Sequence, residues 1–304
     1  MGVRIIKGGL LSTIQDGGRH GYQAYGFVVG GAMDSWAMKL ANRIVNNDLN
    51  AAVIEMTMIG ATFEFDENTY ISICGADMSP TINDIPVRNG KAIFVKIGDV
   101  LSFKQAREGC RTYLAVSGGF NVAEVLHSKS TYLNANIGKR LESGDVLSIY
   151  QASNIPNLKQ RLSPSVFTYM NQTTIRYVEG RHAHWFSSEL EGETYKINIQ
   201  SNRMGYRLNG PILRTTVDDQ VITEGTTFGT IQVPPNGQPI ILMADRQPTG
   251  GYPKIGEVIT ADLRILAQRK PGDEIEFKKV TLQEAQKIYR EQAKTIQILE
   301  KMKG

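Results

Sequence analysis

Cysteine and histidine are scarce in this chain of 304 residues, which has two of the first and four of the second. Cys74 and Cys110 cannot build a disulfide framework, nor by themselves a four-ligand zinc site. No charge of one sign dominates: 34 Lys and Arg stand against 30 Asp and Glu, a formal charge of +4. Basic runs stop at two residues, as in Lys278-Lys279. A concentrated basic stripe is therefore missing, and no nucleic-acid partner is expected. No segment reaches the roughly 18 apolar residues of a membrane helix, so no membrane partner is expected either. The apolar start is broken by Gly8-Gly9 and lacks the h-region and cleavage site of a signal peptide. These absences predict a cytoplasmic protein. Gly-x-Ser-x-Gly, Walker A and His-Glu-x-x-His patterns are also missing, so no nucleotide loop, serine nucleophile or zinc helix is evident.

Helical periodicity is rare as well. One candidate helix runs from Ser35 to Asn47, with Asp34 as N-cap. Another follows the capping box Thr281-Leu282-Gln283-Glu284, with Leu282, Ala285, Ile288, Tyr289, Ile296 and Leu299 on one face. Glycine is plentiful at 30 residues, and hydrophobic residues make up 41%, enough for a core. Short apolar runs between turn residues predict strands over 69–74, 91–97, 112–116, 196–200 and 239–243. Cys74 and Cys110 fall in such contexts and read as core thiols. The expected class is mainly β, a barrel or a sandwich, with few helices.

An internal repeat organises the chain. Val3–Gly8 is echoed by Ile175–Gly180. Gln15, Arg19, Gly21 and Tyr22 are echoed by Gln200, Arg203, Gly205 and Tyr206. Glu55, Thr57 and Gly60 recur as Glu224, Thr226 and Gly229; Ile71, Ile73, Ala76 and Asp77 recur as Ile240, Leu242, Ala244 and Asp245. Gly98-Asp99 recurs as Gly272-Asp273. The order is kept throughout, which predicts two related halves, 1–150 and 170–304. The polar stretch from Gln151 to Ser165, with Pro156 and Pro164, reads as the join. A duplicated fold commonly puts its cleft between the copies, so a shared anion-receptive groove is expected there.

Four loops could carry chemistry. In Gln15–Tyr22, Arg19 lies among glycines; it suits a carboxylate, or it is a surface Arg on an ordinary turn. In Ser201–Arg207, Asn202, Arg203 and Arg207 form either an anion clamp or an Arg pair stacked on tyrosines. Ala244–Pro253 is stiffened by Gly and Pro. Asp245, Gln247, Thr249 and Tyr252 there either hold a polar ligand or face solvent on a plain turn. Gly30–Asp34 opens the first helix, where Asp34 is a general-base candidate or simply the cap. His182 and His184 would share a strand face, but a third metal ligand is not evident, and no metal is expected.

The segments Gly9–Tyr22, Gly30–Asp34, Arg111–Phe120, Ser201–Leu208 and Asp245–Tyr252 resemble the signatures of the biotin-dependent carboxyltransferase family, also called allophanate hydrolase subunit 2. The likeness covers nearly the whole chain. It implies two cyclophilin-like β-barrel halves. Short stand-alone chains of this kind resemble the third subunit of bacterial ATP-dependent 5-oxoprolinase most. That resemblance implies a smaller partner of similar, cyclophilin-like fold, a larger oxoprolinase-family partner, and ATP bound by the complex. Biotin is not expected on this chain, whose nearest approach to the carrier motif is Ala37-Met38-Lys39-Leu40 in the first helix.

The expected function is opening of the lactam of 5-oxoproline to L-glutamate with two partner subunits. Charge developing in that reaction calls for cationic and N–H donors. Arg203, Arg207, Asp245, Gln247 and Asp34 are the candidates for catalysis. Arg19, Tyr22, Asn202, Met204, Thr249, Gly250 and Tyr252 are the candidates for binding the small-molecule substrate. Two other functions fit the resemblance. One is a binding protein that antagonises a small kinase inhibitor through exposed aromatics such as Tyr22 and Tyr25. The other is carboxyl transfer from a biotinyl carrier supplied in trans, as in urea carboxylase.

Overall fold

A computed structural model describes residues 2–150, 160–217 and 221–301. Most of the expected join, 151–159, therefore lies outside the described residues. The backbone divides into two compact units. The first takes the residues up to Arg19 and Gly30–Asn171; the second takes His20–Val29 and the residues from Gln172 onward.

The first unit is built on two antiparallel sheets. A six-stranded sheet runs in the order Val146–Ser148, Gly2–Lys7, Thr62–Phe65, Val100–Ser102, Thr81–Ile82, Ile85–Pro86. A five-stranded sheet runs Leu11–Gln15, Val53–Thr57, Glu108–Val116, Thr69–Asp77, Ala92–Val95. Side chains alternate across each strand, and both faces of the long central strands are used. Ile71, Ile73, Leu114 and Val116 join Val3, Ile5, Phe63, Phe65 and Leu101 in one core cluster. Each such side chain contributes about 1.5–3 kcal/mol by leaving water. The opposite face of the five-stranded sheet takes helix α1, Ser35–Ile44, where the Ser72 hydroxyl donates to the Ala41 carbonyl. A sheet covered on both sides needs apolar residues at successive positions, and Thr69–Ala76 is buried throughout.

Helix α1 is capped by Asp34, whose carboxylate accepts from the Ala37 N–H at 2.9 Å. It stops at Ile44 rather than Asn47. There Asn46 turns to φ 59°, and the Asn47 amide reaches the Val116 carbonyl at 2.8 Å. Tertiary hydrogen bonds at the last turn thus end a pattern that looked longer in sequence.

The second unit closes. Thr174–Glu179, Lys254–Val258, Thr230–Gln232, Ile240–Leu242, Gly205–Asn209, Thr194–Ile197 and Glu274–Lys279 form a barrel. Its closure is the parallel pairing of Thr174–Tyr177 with Glu276–Lys279. Closure removes the sheet edges that would otherwise invite pairing. Inward positions carry Ile175, Tyr177, Tyr195, Ile231, Ile241, Ile275 and Phe277, all buried. The Phe277 ring meets Tyr177 and Tyr195 edge-on, at centroid distances of 5.8 and 5.7 Å.

Helix α2, Leu263–Ala267, follows a turn that is tied to the barrel through Asp262. That carboxylate is fully buried and accepts from the Arg176 backbone N–H, Nε and Nη2 at 2.8, 2.9 and 2.6 Å. Helix α3, Leu282–Lys301, starts at the expected capping box: Thr281 N–H donates to Glu284 at 2.8 Å and Glu284 N–H returns to Thr281 Oγ1 at 3.2 Å. Its apolar face is covered only in part, with Ala285, Ile288 and Ile296 half-buried and Leu282 and Tyr289 exposed. An apolar stripe is legible in residue order; how much of it finds a neighbour is not.

The mainly β class and the few helices agree with the sequence reading. The expected strands are present with shifted ends, such as Glu108–Val116 in place of 112–116 and Thr194–Ile197 in place of 196–200. The histidine pair is a correction. His182 and His184 lie in and beside the 3-10 turn Ala183–Trp185, not on a strand. His182 is buried, accepts from the Lys254 N–H at 3.2 Å and lies against Trp185. Burial lowers its pKa. Both cysteines are buried, and neither is in a disulfide. Among the described residues no helix is long and apolar enough to cross a membrane, and no three His, Cys, Asp or Glu are grouped to hold a metal.

Replacing Asp262 with Ala strands a half-buried guanidinium and three donors. The expected loss is about 3 kcal/mol of unfolding free energy. The fall of the urea midpoint at constant slope measures it.

Candidate functional site

In the first unit the Gly-rich loop is an internal clamp. The Asp16 carboxylate accepts from Gly18 N–H at 2.8 Å, Ser128 Oγ at 2.8 Å, Lys129 N–H at 2.6 Å and the Ser130 hydroxyl. Arg19 is fully buried. Its Nε donates to the Val125 carbonyl at 2.9 Å and its Nη2 to the Ser130 carbonyl at 3.1 Å. Asp34 is fully buried too; besides capping α1 it accepts from the Tyr169 hydroxyl, and its own N–H donates to Tyr113 Oη at 2.8 Å. The Tyr113 hydroxyl in turn donates to Glu55 at 2.8 Å. Desolvation, with the Glu55 and Asp34 charges beside it, holds the Tyr113 pKa well above normal, so it stays a donor.

In the second unit two signature loops converge. Asn202 shapes the first by accepting from Met204 N–H at 2.8 Å and Gly205 N–H at 3.3 Å. Ser201 Oγ accepts from Arg207 N–H at 3.1 Å. The second loop is held by Thr226, whose N–H donates to the Pro248 carbonyl at 2.9 Å and whose hydroxyl donates to that of Gln247. Thr249–Gly250 also pairs with Glu224–Gly225. Between the loops, Arg203 and Asp245 form a buried bidentate ion pair, Nε to Oδ2 at 2.8 Å and Nη2 to Oδ1 at 2.9 Å. The backbone adds Asp245 N–H to the Arg203 carbonyl at 2.8 Å. Neither side chain lines the cavity that the loops enclose.

That cavity has about 400 Å³ and is open to solvent. Asn202, Met204, Arg207, Gln247, Thr249, Gly250 and Tyr252, all selected from sequence, line it. Arg207, Gln247, Thr249 and Tyr252 are exposed at its rim. Tyr22 is half-buried beside the short turn Gln23–Tyr25, where Tyr25 is exposed.

Sequence reasoning does not select Gln232, Arg246 or Glu257. Gln232 and Arg246 line the same cavity. Gln232 is buried at the end of Thr230–Gln232. Glu257 is half-buried on Lys254–Val258, opposite Thr230. Burial pushes its carboxyl up to about 7, while a Thr230 hydrogen bond and the Lys254 and Arg246 charges pull the other way. Arg246 was within reach, because it sits inside a selected loop. Gln232 and Glu257 give a weaker signal, a lone polar residue in a short apolar strand.

A family model described as "Carboxyltransferase domain, subdomain A and B" matches residues 25–279. The chain is 38% identical over 298 residues to the C subunit of 5-oxoprolinase from Escherichia coli strain K12, covering 95% of each chain. It is 36% identical over 287 residues to the corresponding 5-oxoprolinase subunit of Haemophilus influenzae, covering 92% of this chain and 91% of the relative. Among solved structures, that of the K. lactis urea amidolyase matches with a TM-score of 0.91 and 29% identity. The match spans 98% of this chain and 20% of that one.

Two predictions concern the polar groups around the cavity. Arg203→Met leaves the Asp245 charge buried and alone, with an expected cost of about 3–5 kcal/mol. The double change Arg203→Met with Asp245→Leu is expected to recover most of it, which a double-mutant cycle of urea midpoints measures. Glu257 has a folded pKa above its unfolded one. Its contribution to stability is complete below the unfolded value and is lost as pH rises through about 7. Glu257→Gln is therefore expected to gain stability relative to the parent between pH 5 and pH 8, by up to about 3 kcal/mol. Urea midpoints of both proteins at the two pH values measure the difference.

The matched model covers most of the chain, and the two 5-oxoprolinase relatives are matched over 95% and 91% of their lengths: the chain belongs to the carboxyltransferase family defined by subdomains A and B.

Proposed function

We propose that this chain is the third component of a multi-subunit ATP-dependent 5-oxoprolinase, which opens 5-oxoproline to L-glutamate. The carrying observation is the reach of the alignment. Likeness to the 5-oxoprolinase component of Escherichia coli runs through 95% of both chains, whereas the urea amidolyase structure is matched over 20% of its length. That reach supports the role of a C-type subunit, whose work requires partner subunits. We take these to be a smaller one of similar fold and a larger oxoprolinase-type one.

The second-unit cavity is the proposed ligand site. Its volume is within the usual range for small molecules. Arg207 at the rim offers a charged, bidentate fork to the substrate carboxylate. Asn202, Gln247 and Thr249 supply neutral donors and acceptors, and Met204 and Tyr252 supply apolar wall. Arg203 and Asp245 act as positioning residues that keep both loops in register. Arg19, Tyr22 and Asp34 are read as framework, since Arg19 donates to the Val125 carbonyl, Asp34 caps α1 and Tyr22 anchors a turn through its carbonyl. ATP is assigned to the complex, where it supplies the phosphoryl group that makes the lactam carbon open to water. The cavity's single rim arginine and neutral amides suit a carboxylate-bearing ring better than a triphosphate.

The likeness to urea amidolyase supports a second reading, carboxyl transfer with a biotinyl carrier in trans. The two are separated by one assay. Glutamate release that depends on ATP, 5-oxoproline and both partners is expected when subunits are added one at a time. Arg207→Ala is expected to raise KM for 5-oxoproline about tenfold or more with an unchanged melting temperature. A complete complex that releases no glutamate, yet carboxylates an acceptor from a biotinylated carrier, overturns the first reading in favour of the second.

A further inference from the structure

The floor of the second-unit cavity holds two donors with nothing to donate to. Gln232 is 5% exposed, and its Nε2 has no hydrogen-bond partner among the described residues. Arg246 Nε is likewise buried without a partner, although its Nη1 leans toward the Met243 carbonyl at 3.5 Å. Both side chains line the one cavity. A buried donor left unmade costs about 1–3 kcal/mol, so two in one place are a standing cost to the fold. An acceptor that enters the cavity removes that cost.

The surroundings hold the first donor in place. Gly250 lies against it so closely that an added Cβ would stand 2.6 Å from Gln232 Nε2. Gly250 has no positive φ, so a side chain added here would act by displacing the carboxamide rather than by straining the backbone. Desolvation lowers the Arg246 pKa, and the nearby Glu257 charge raises it again, so this guanidinium is held in a dry, partly compensated setting. Donors in such a setting favour a fixed acceptor oxygen over bulk water.

We propose that Gln232, with Arg246 beside it, is the specificity-determining floor of the ligand site, donating to a carbonyl oxygen of a cyclic amide whose carboxylate is held by Arg207 at the rim. This deepens the 5-oxoprolinase reading and rests on it. The division of labour is chemical. A charged, solvent-facing fork takes the group that is always ionised. Buried uncharged Nε2, backed by a desolvated guanidinium, takes the neutral carbonyl oxygen of the bound ring. A ring acid without that oxygen leaves both donors buried and unpaired, which discriminates against it.

The test uses the assembled complex and L-5-oxoproline itself. Gln232→Leu deletes the donor at similar size, and Gln232→Glu replaces it with an acceptor at the same shape. Both are expected to lower kcat/KM about tenfold or more. The melting temperature of the Leu variant is expected to stay level or rise, because a buried unsatisfied donor has gone; a merely structural glutamine would lower it. Gly250→Ala, which pushes the carboxamide aside without removing it, is expected to raise KM in the same direction. Should Gln232→Leu fold poorly, Gln232→Glu and Gly250→Ala decide. Variants within twofold of the parent in kcat/KM overturn the inference and leave the 5-oxoprolinase reading standing. A parent complex that does not convert 5-oxoproline at all overturns that reading, and this inference falls with it.

Discussion

Arg203 and Asp245 share two short hydrogen bonds out of water, and the second unit's cavity depends on that contact. Each charge alone would be costly to bury; together, with the backbone bond between the same two residues, they are tolerated. Their importance is geometric. The two loops they join are 42 residues apart along the chain. Because two nitrogens on one guanidinium edge are fixed by one carboxylate, the loops cannot slide past one another without breaking the pair. Side chains that follow each partner, Met204 and Arg207 on one side and Gln247 and Thr249 on the other, therefore face a common space.

The first unit uses the same chemistry for a different end. Arg19 is the sequence counterpart of Arg203, yet its Nε and Nη2 donate to backbone carbonyls rather than to a carboxylate, and the neighbouring Asp16 gathers four donors. Asp77 is the counterpart of Asp245, and it accepts from the Ser79 N–H of its own loop at 2.8 Å. The matched residue types are the same in the two units, while their partners differ. One copy became a closed loop clamp, the other the wall of a cavity.

Stability and binding pull against each other on the cavity floor. Gln232 and Arg246 on that floor, and Glu257 on the neighbouring strand, are polar groups in a partly dry place, and a core built only for stability would replace them with aliphatic residues. Their neighbours are tuned around them instead. Gly250 leaves room for the carboxamide, Thr230 and Lys254 temper the Glu257 carboxyl, and Glu257 tempers Arg246. Polar groups kept at a cost to the fold are a physical mark of a site, independent of any motif.

Local rules were readable directly from residue order. Gly98-Asp99 and Gly272-Asp273 were matched in sequence, and both are the same turn: glycine at φ 84° and 94°, with the Asp carboxylate accepting from Lys96 or Lys270 N–H at 2.8 and 3.0 Å. The capping box, the Asp34 cap, the β-rich class and the seven cavity residues of the two loops were readable in the same way, because each depends on residues near in sequence or on a long motif. Long-range packing settled the rest. Arg19 and Arg203 look alike until their partners, 106 and 42 residues away, are known. Gln232 and Glu257 carry no local pattern, since burial and the lack of a partner are properties of the surroundings. Hydrogen bonding along the chain is short-ranged and written residue by residue; desolvation is collective, and it exists only once the barrel has closed.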